Sequence, residues 1–474
     1  MIFSLLGTPH SVLRIKTMSF YLLVLLFYSV FLMLIGWWAS RSVRSAEDFF
    51  VAGRRLSPAL LFATLLAANL GAGSTVGATG IGYTYGLSAW WWVGSAGIGS
   101  LILGFTVGPK MWRVAKDHGF YTVGDFLEYR YSRAVRGLIA LLLWFGTLAI
   151  LAGQLIPLAW ILNLVTGIPK FAACLLGGTV VVVYFTFGGL MSTARVNAVQ
   201  LIVKLTGFLL TFFLVVNAGD LFSDEETITA GFTSLFGDDP SRIWAYFIVI
   251  VPAFIVSPGL LQKIYGARDA GTVRRGVTWN AIALMLFAFV PAMLGMAARA
   301  EFPTLETQDL ALPRLLIDSL PIWVGGLTLA AVFSAEISSA DAVLFMLTTS
   351  LSKDLYQTFI NPEASDARLL TVSRITAVVA GLFGVILAAI LPDIISALTI
   401  FYSILSVALF VPLIAGLYSA KPDARSAFMT IVGSVSIMVV IHVLTGGTGY
   451  WSLSPATWGI GTAIAIMAGH IVRK

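Results

Sequence analysis

The stretch Asn69-Leu70-Gly71-Ala72-Gly73-Ser74-Thr75 sits inside an apolar run from 58 to 82, and its reading decides the fold. Glycine lowers helix propensity by about 1 kcal/mol, so the run is expected to be two half-helices joined by unwound backbone. Within a bilayer, unwound backbone is tolerated only where it lines a cavity or is buried in protein, because each unpaired carbonyl or amide in lipid costs several kcal/mol. Freed carbonyls can then coordinate a cation, and the amides opening the second half present partial positive charge to an anion. Taken alone, the small residues Gly71, Ala72 and Gly73 fit close helix packing equally well.

What surrounds the stretch supports the first reading. Of 474 residues, 58% are hydrophobic and 11% charged, against about 25% charged in ordinary soluble domains. Apolar runs long enough to cross a hydrocarbon core recur throughout. They predict an all-α integral membrane protein of about 13 spans, near 18–39, 58–82, 88–112, 136–164, 169–188, 195–218, 242–262, 275–298, 320–350, 370–391, 395–418, 425–446 and 453–471. A second interruption, Val256-Ser257-Pro258-Gly259 after Pro252, falls in the seventh span, and proline costs a helix about 3 kcal/mol. The breaks open two five-helix blocks, 58–218 and 242–418, offset by about 184 residues, which is the pattern of an inverted-repeat transporter. One extra helix (18–39) precedes the blocks and two (425–471) follow, all within a single transmembrane domain, 1–474.

The charges report topology. With the N-terminus outside, 22 lysines and arginines fall on the inner segments and 6 on the outer ones, with Lys204 left inside a span. That asymmetry predicts a multi-pass protein of the cell inner (plasma) membrane with a cytoplasmic C-terminus. The net charge of +6 is spread between apolar runs, so nucleic acid is not an expected partner. Neither is a soluble partner domain, since the longest non-apolar segments are loops, of which Asp220 to Asp239 is markedly acidic. The span 18–39 lacks a small-residue cleavage site and reads as retained. Cys174 stands alone, and His10, His118, His442 and His470 show no metal-ligand spacing, so no metal beyond sodium is expected. An intramembrane enzyme would need an aspartate dyad, a His-Glu cluster or a Ser-His pair at bilayer depth, and none is present. A channel is separated from a carrier by saturable, ion-linked uptake.

The chain resembles the sodium:solute symporter family through Ser45-Ala46-Glu47-Asp48-Phe49-Phe50-Val51-Ala52-Gly53-Arg54, through Ala67-Ala68-Asn69-Leu70 with its glycines, and through Pro258 with Gln262-Lys263. Ser338-Ser339 in the ninth span and Lys353-Asp354-Leu355-Tyr356 at that span's inner end complete the set. The resemblance, from about Met18 onward, implies a LeuT-like 5+5 fold working as a sodium-coupled symporter of a small organic solute by alternating access. It also implies a sodium site made by the carbonyls of Ala67, Leu70 and Ala335 and the hydroxyls of Ser338 and Ser339. Ala335, Ser338 and Ser339 stand at i, i+3 and i+4 on one helix face, and sodium favours such neutral oxygens.

Two departures bear on the coupling ion. Some members hold a second sodium near an aspartate that corresponds here to Asn197, which favours one ion per cycle. Lys204 lies seven residues on, deep in the sixth span, where a lysine costs at least about 2.5 kcal/mol unless it is paired or faces water. It is expected to pair with Glu336 or Asp341. A proton-coupled or uncoupled carrier using Lys204 is the alternative. Substrate contacts are expected from Asn69, Gly71, Ala72, Ser74, Thr75, Ser257 and Thr399. Sugar-transporting members carry polar side chains where this chain has Ser74, Val93, Ala96 and Thr399, too few polar groups for a sugar. An amino acid or a carboxylate is favoured, and Trp90-Trp91-Trp92 reads as an interfacial anchor.

Overall fold

The computed structural model describes residues 9–40, 50–186, 190–217 and 230–473. Ser45 to Phe49 of the first family motif and the first half of the acidic loop lie outside the described residues. Among those described, secondary structure is helical apart from two isolated bridges.

The helices are α1 (Pro9–Ser40), α2 (Pro58–Asn69), α3 (Val76–Tyr85), α4 (Trp90–Phe105), α5 (Val107–His118), α6 (Val123–Arg130) and α7 (Arg133–Thr166). They continue as α8 (Lys170–Thr186), α9 (Leu190–Asn217), α10 (Pro240–Val256), α11 (Pro258–Tyr265), α12 (Ala270–Phe287) and α13 (Phe289–Glu301). The last six are α14 (Ile322–Thr349), α15 (Asp366–Ile390), α16 (Ile394–Ile404), α17 (Val411–Tyr418), α18 (Ala424–Thr445) and α19 (Pro455–Arg473). The starts are chemically marked. Ser57, Asp239, Asp269, Ser365, Asp393 and Asp423 each accept a hydrogen bond from a backbone N–H of the turn they open, and proline follows at Pro58 and Pro240.

Among the described residues, ten helices are long and apolar enough to cross a membrane, eleven with the bent pair Pro58–Asn69 and Ala72–Phe105 taken as one span. Each of the 13 expected spans coincides for most of its length with helix among the described residues. The bent pair contains 58–82 and most of 88–112, whose end lies in α5, and 169–188 holds the shorter apolar helix Lys170–Val183.

Burial orders these helices by depth. The span containing α14 is 94% buried, against 22% for α1 and α18. α14 is therefore the central post, and the exposed faces of the outer helices, with residues such as Phe27, Leu34 and Val443, are the apolar surface a bilayer covers. α2 packs against α9, α12 and α14, while α4 lies on α10 and α12 and α7 on α14, α15 and α16. Within the tryptophan run Trp92 is buried in the bundle rather than at an interface, and the half-buried Trp90 and Trp91 indoles donate to the carbonyls of Met285 and Leu235.

Candidate functional site

The helix α2 stops where its sequence cannot continue. Leu70 makes the last α-helical bond, to the Leu66 carbonyl at 2.8 Å, and the two halves then bend by 78°. A helix end leaves four carbonyls without partners. Each of the four is satisfied by a side chain here. Ala68 O accepts from Ser339 Oγ at 2.9 Å and Asn69 O from Ser74 Oγ at 2.7 Å. Ala67 O and Leu70 O accept from Lys204 Nζ at 2.6 and 3.1 Å.

The same ammonium donates to Ser338 Oγ, whose own proton faces the carbonyls of Ala67 at 2.9 Å and Ala335 at 3.2 Å. The five residues expected to ligate sodium thus converge, but around a lysine. Three of their oxygens receive the ammonium, and Ser339 Oγ is engaged on Ala68. The donor set does not fit a free sodium ion while Lys204 stays in it. Nor does Lys204 form the expected ion pair with Glu336 or Asp341: an ammonium has three donors, and carbonyls freed by the break lie nearer than either carboxylate. Glu336 instead accepts from Thr75 Oγ1 at 3.2 Å, and the amide of Asn197 donates to Thr64 Oγ1 at 3.2 Å. Asp341 is buried one turn beyond Ser338, with Lys263 as the cation in electrostatic reach.

Beside the break lies a cavity of about 100 Å³. Asn69, Gly71 and Ser74 from the first break border it, and so do Ser257 and Gly259 from the second. Gly71 is required by close approach, since a Cβ there would stand 2.2 Å from Ser339 Oγ and 2.6 Å from Gln154 Oε1. Val93 and Ala96 line the cavity, but three of the expected contacts do not. Ala72 donates its N–H to Gln154 Oε1 at 3.0 Å, and Thr75 is turned to Gly71 O and Glu336. Thr399 faces a separate apolar groove with His442 and Ser454. Helical periodicity explains this: Leu398, Phe401, Tyr402 and Leu405 form the cavity face of α16 and its continuation, and Thr399 lies about 100° around from Leu398.

Two polar cavity residues were missed from the sequence. Gln154 is an amide in the middle of an otherwise apolar span, a signal that could have found it. Lys263, one residue past the expected end of the seventh span at 262, is buried and borders the cavity. The expected open amides after Gly71 are engaged, Gly71 N by Ser74 Oγ at 3.1 Å and Ala72 N by Gln154. The Lys263 ammonium, which makes no hydrogen bond to protein among the described residues and has Asp341 in electrostatic reach, is therefore the positive group that borders the cavity. Trp92, Phe254 and Tyr402 supply an aromatic wall.

Two polar clusters flank α14. Beyond its far end, Arg136 contacts Asp354 and Asp125 at 2.7 Å and Glu128 at 2.8 Å. Burial pushes the Glu128 carboxyl up, but hydrogen bonds from Arg136 and Arg133 outweigh it and hold the group below the usual range. Before its start, Asp309 is fully buried and accepts from Ile394 N at 3.2 Å. Burial first, and then the charge of Asp393, raise Asp309 to about 7.

A model of the sodium:solute symporter family matches residues 49–433. A sodium/glucose cotransporter of Vibrio parahaemolyticus is 23% identical over 472 residues, covering 89% of this chain and 85% of the relative. A sodium/pantothenate symporter of Escherichia coli (strain K12) is 26% identical over 433 residues, covering 86% and 87%. Among solved structures, a Na+-coupled sialic acid symporter in a substrate-bound outward-open state superposes with a TM-score of 0.78 at 18% identity, covering 96% of each chain. Mhp1, of the nucleobase-cation-symport-1 family, gives 0.59 at 15% identity, covering 91% and 95%.

Proposed function

This chain belongs to the sodium:solute symporter family, and from that membership we propose that it is a secondary transporter carrying a compact organic solute across the membrane by alternating access. The single observation that carries the reading is that both helix breaks border one cavity at the centre of the bundle. Broken helices facing a common site let two bundles rock around a bound solute, and closure on either side needs only small shifts.

The solute class follows from the lining. At about 100 Å³ the space falls below the 300–1,000 Å³ usual for larger ligands. One ammonium, from Lys263, stands among aromatic and small side chains. That composition supports an amino acid or short carboxylate, its carboxylate directed to Lys263 and its apolar part to Trp92 and Phe254. A sugar would leave most of its hydroxyls unpaired.

For the co-substrate, the relatives' names supply sodium, and one ion per cycle is the reading that Asn197 supports, standing where some members of the family carry an aspartate. A specific observation favours a second reading, transport with no sodium at the break, because Lys204 Nζ stands among the oxygens that would bind it. The asymmetry of lysine and arginine supports a plasma-membrane protein with its N-terminus outside.

Purified protein in liposomes tests the carrier reading. Saturable uptake is expected for one of a panel of labelled amino acids, short monocarboxylates, pantothenate and sugars, assayed with an inward sodium gradient and with N-methylglucamine in its place. Uptake that never saturates would point to a channel, and no uptake of any compound would sink the proposal.

A further inference from the structure

We infer that Lys204 is the resident cation of the first helix break, and that this position is closed to sodium. Three independent features support the assignment. The first is saturation. An ammonium offers three N–H donors, and three oxygens from two helices receive them: Ala67 O and Leu70 O on the end of α2, and Ser338 Oγ on α14. No donor is left over to seek water or a carboxylate.

The second feature is that the carbonyls need a donor. They are the orphaned end of α2, fully buried with the residues around them, and an unpaired buried acceptor is costly. A donor or a cation is required there by the break itself. In this chain it arrives covalently, on a side chain of α9 that is 0% exposed along its whole length.

The third is the identity of the oxygens. They are not a random polar patch, but members of the same set that the sequence resemblance assigns to a transported ion. A tethered ammonium and a free sodium ion cannot occupy one set of oxygens together. Lys204 also packs between α2 and α14 from α9, so it pins three helices where a mobile ion would join only two. The positive charge at the break is thus a fixed part of the protein, and the solute cycle runs without loading and releasing sodium there.

This inference deepens the carrier reading and rests on it only for the meaning of the break. The test uses the purified full-length protein and sodium as the only ligand. Melting temperature is followed while sodium chloride replaces N-methylglucamine chloride at constant ionic strength, for wild type, Ser338→Ala, Lys204→Ala and Lys204→Met. In wild type, no sodium-dependent shift that Ser338→Ala removes is expected. Lys204→Ala vacates the oxygens and should gain an upward, saturating shift with sodium, whereas Lys204→Met fills the space with an apolar chain and should gain none.

A wild-type shift that saturates with sodium and disappears in Ser338→Ala overturns the inference. A wild-type shift that survives Ser338→Ala places sodium elsewhere and agrees with it. Should Lys204→Ala fail to fold, the comparison of wild type with Ser338→Ala still decides. A lack of solute uptake in liposomes would instead sink the carrier reading and leave the melting result standing.

Discussion

The ammonium of Lys204 lies 2.6 Å from the carbonyl oxygen of Ala67, a residue 137 positions away in the chain. One hydrogen bond therefore joins the sixth expected span to the broken second one, at the point where the helix ladder runs out of donors. The bond, with its two companions, is what lets a break exist inside an apolar bundle.

Removing that donor should cost more than removing a neighbouring one. Lys204→Met strands the carbonyl of Leu70 and weakens the environment of Ala67, and each buried acceptor left unpaired costs about 1–3 kcal/mol. Ser339→Ala removes a single bond to Ala68 O, typically worth about 0.5–1.5 kcal/mol. Thermal unfolding should rank Lys204→Met as the less stable variant. Equal losses would mean that the ammonium is not what satisfies the break.

Gly71→Ala should abolish solute uptake, because the added methyl would stand 2.2 Å from Ser339 Oγ. Combining it with Ser339→Gly removes that obstacle and should recover part of the uptake. If the double variant is no better than the single, the block arises from Gln154, whose Oε1 would be 2.6 Å away.

Gln154 positions the start of the second half-helix through the Ala72 amide. Gln154→Glu keeps an acceptor there and should retain uptake. Gln154→Leu leaves the amide unpaired at a cost of about 1–3 kcal/mol and should depress uptake well below Gln154→Glu. Uptake rates at equal protein in the liposomes decide between them.

The cluster beyond the end of α14 is an ion network whose members depend on one another. Arg136→Gln leaves Asp354, also bonded by Thr122 Oγ1 at 2.6 Å, without its cation. Breaking a buried pair by deleting one partner costs about 3–5 kcal/mol. Arg136→Gln with Asp354→Asn should be less destabilising than Arg136→Gln alone. A simple sum of the two single losses, measured by denaturation in detergent, would show the groups to be uncoupled.

Asp309 predicts a pH effect of fixed sign. Its carboxyl is raised to about 7 by burial and by Asp393, so the folded protein holds this proton more tightly than the unfolded chain does. The associated stability is full below the ordinary aspartate value and is lost as pH rises through about 7. Wild type should therefore melt progressively lower from pH 5 to pH 8 relative to Asp309→Asn, which cannot ionise at this position. Parallel curves for the two proteins would remove Asp309 as the source.

The amino-acid sequence alone determined the class of the molecule, the approximate spans and the place of both breaks, while the residues gathered at the first break came from the family resemblance. The spans and breaks are legible because they depend on local properties: apolar length against bilayer thickness, and the helix propensities of glycine and proline. The sequence also marked Lys204 as anomalous, since depth within a span can be counted along the chain. What only the tertiary structure decided is where such groups point. Lys204 is expected on a carboxylate and lies on carbonyls; Thr399 is expected in the cavity and faces another groove; Lys263 stands just past the expected end of the seventh span and borders the cavity. The physical reason is common to all three. A long side chain selects among partners that are close in space but more than a hundred residues apart in sequence, and a helix rotation of about 100° per residue moves a side chain from one surface to the next.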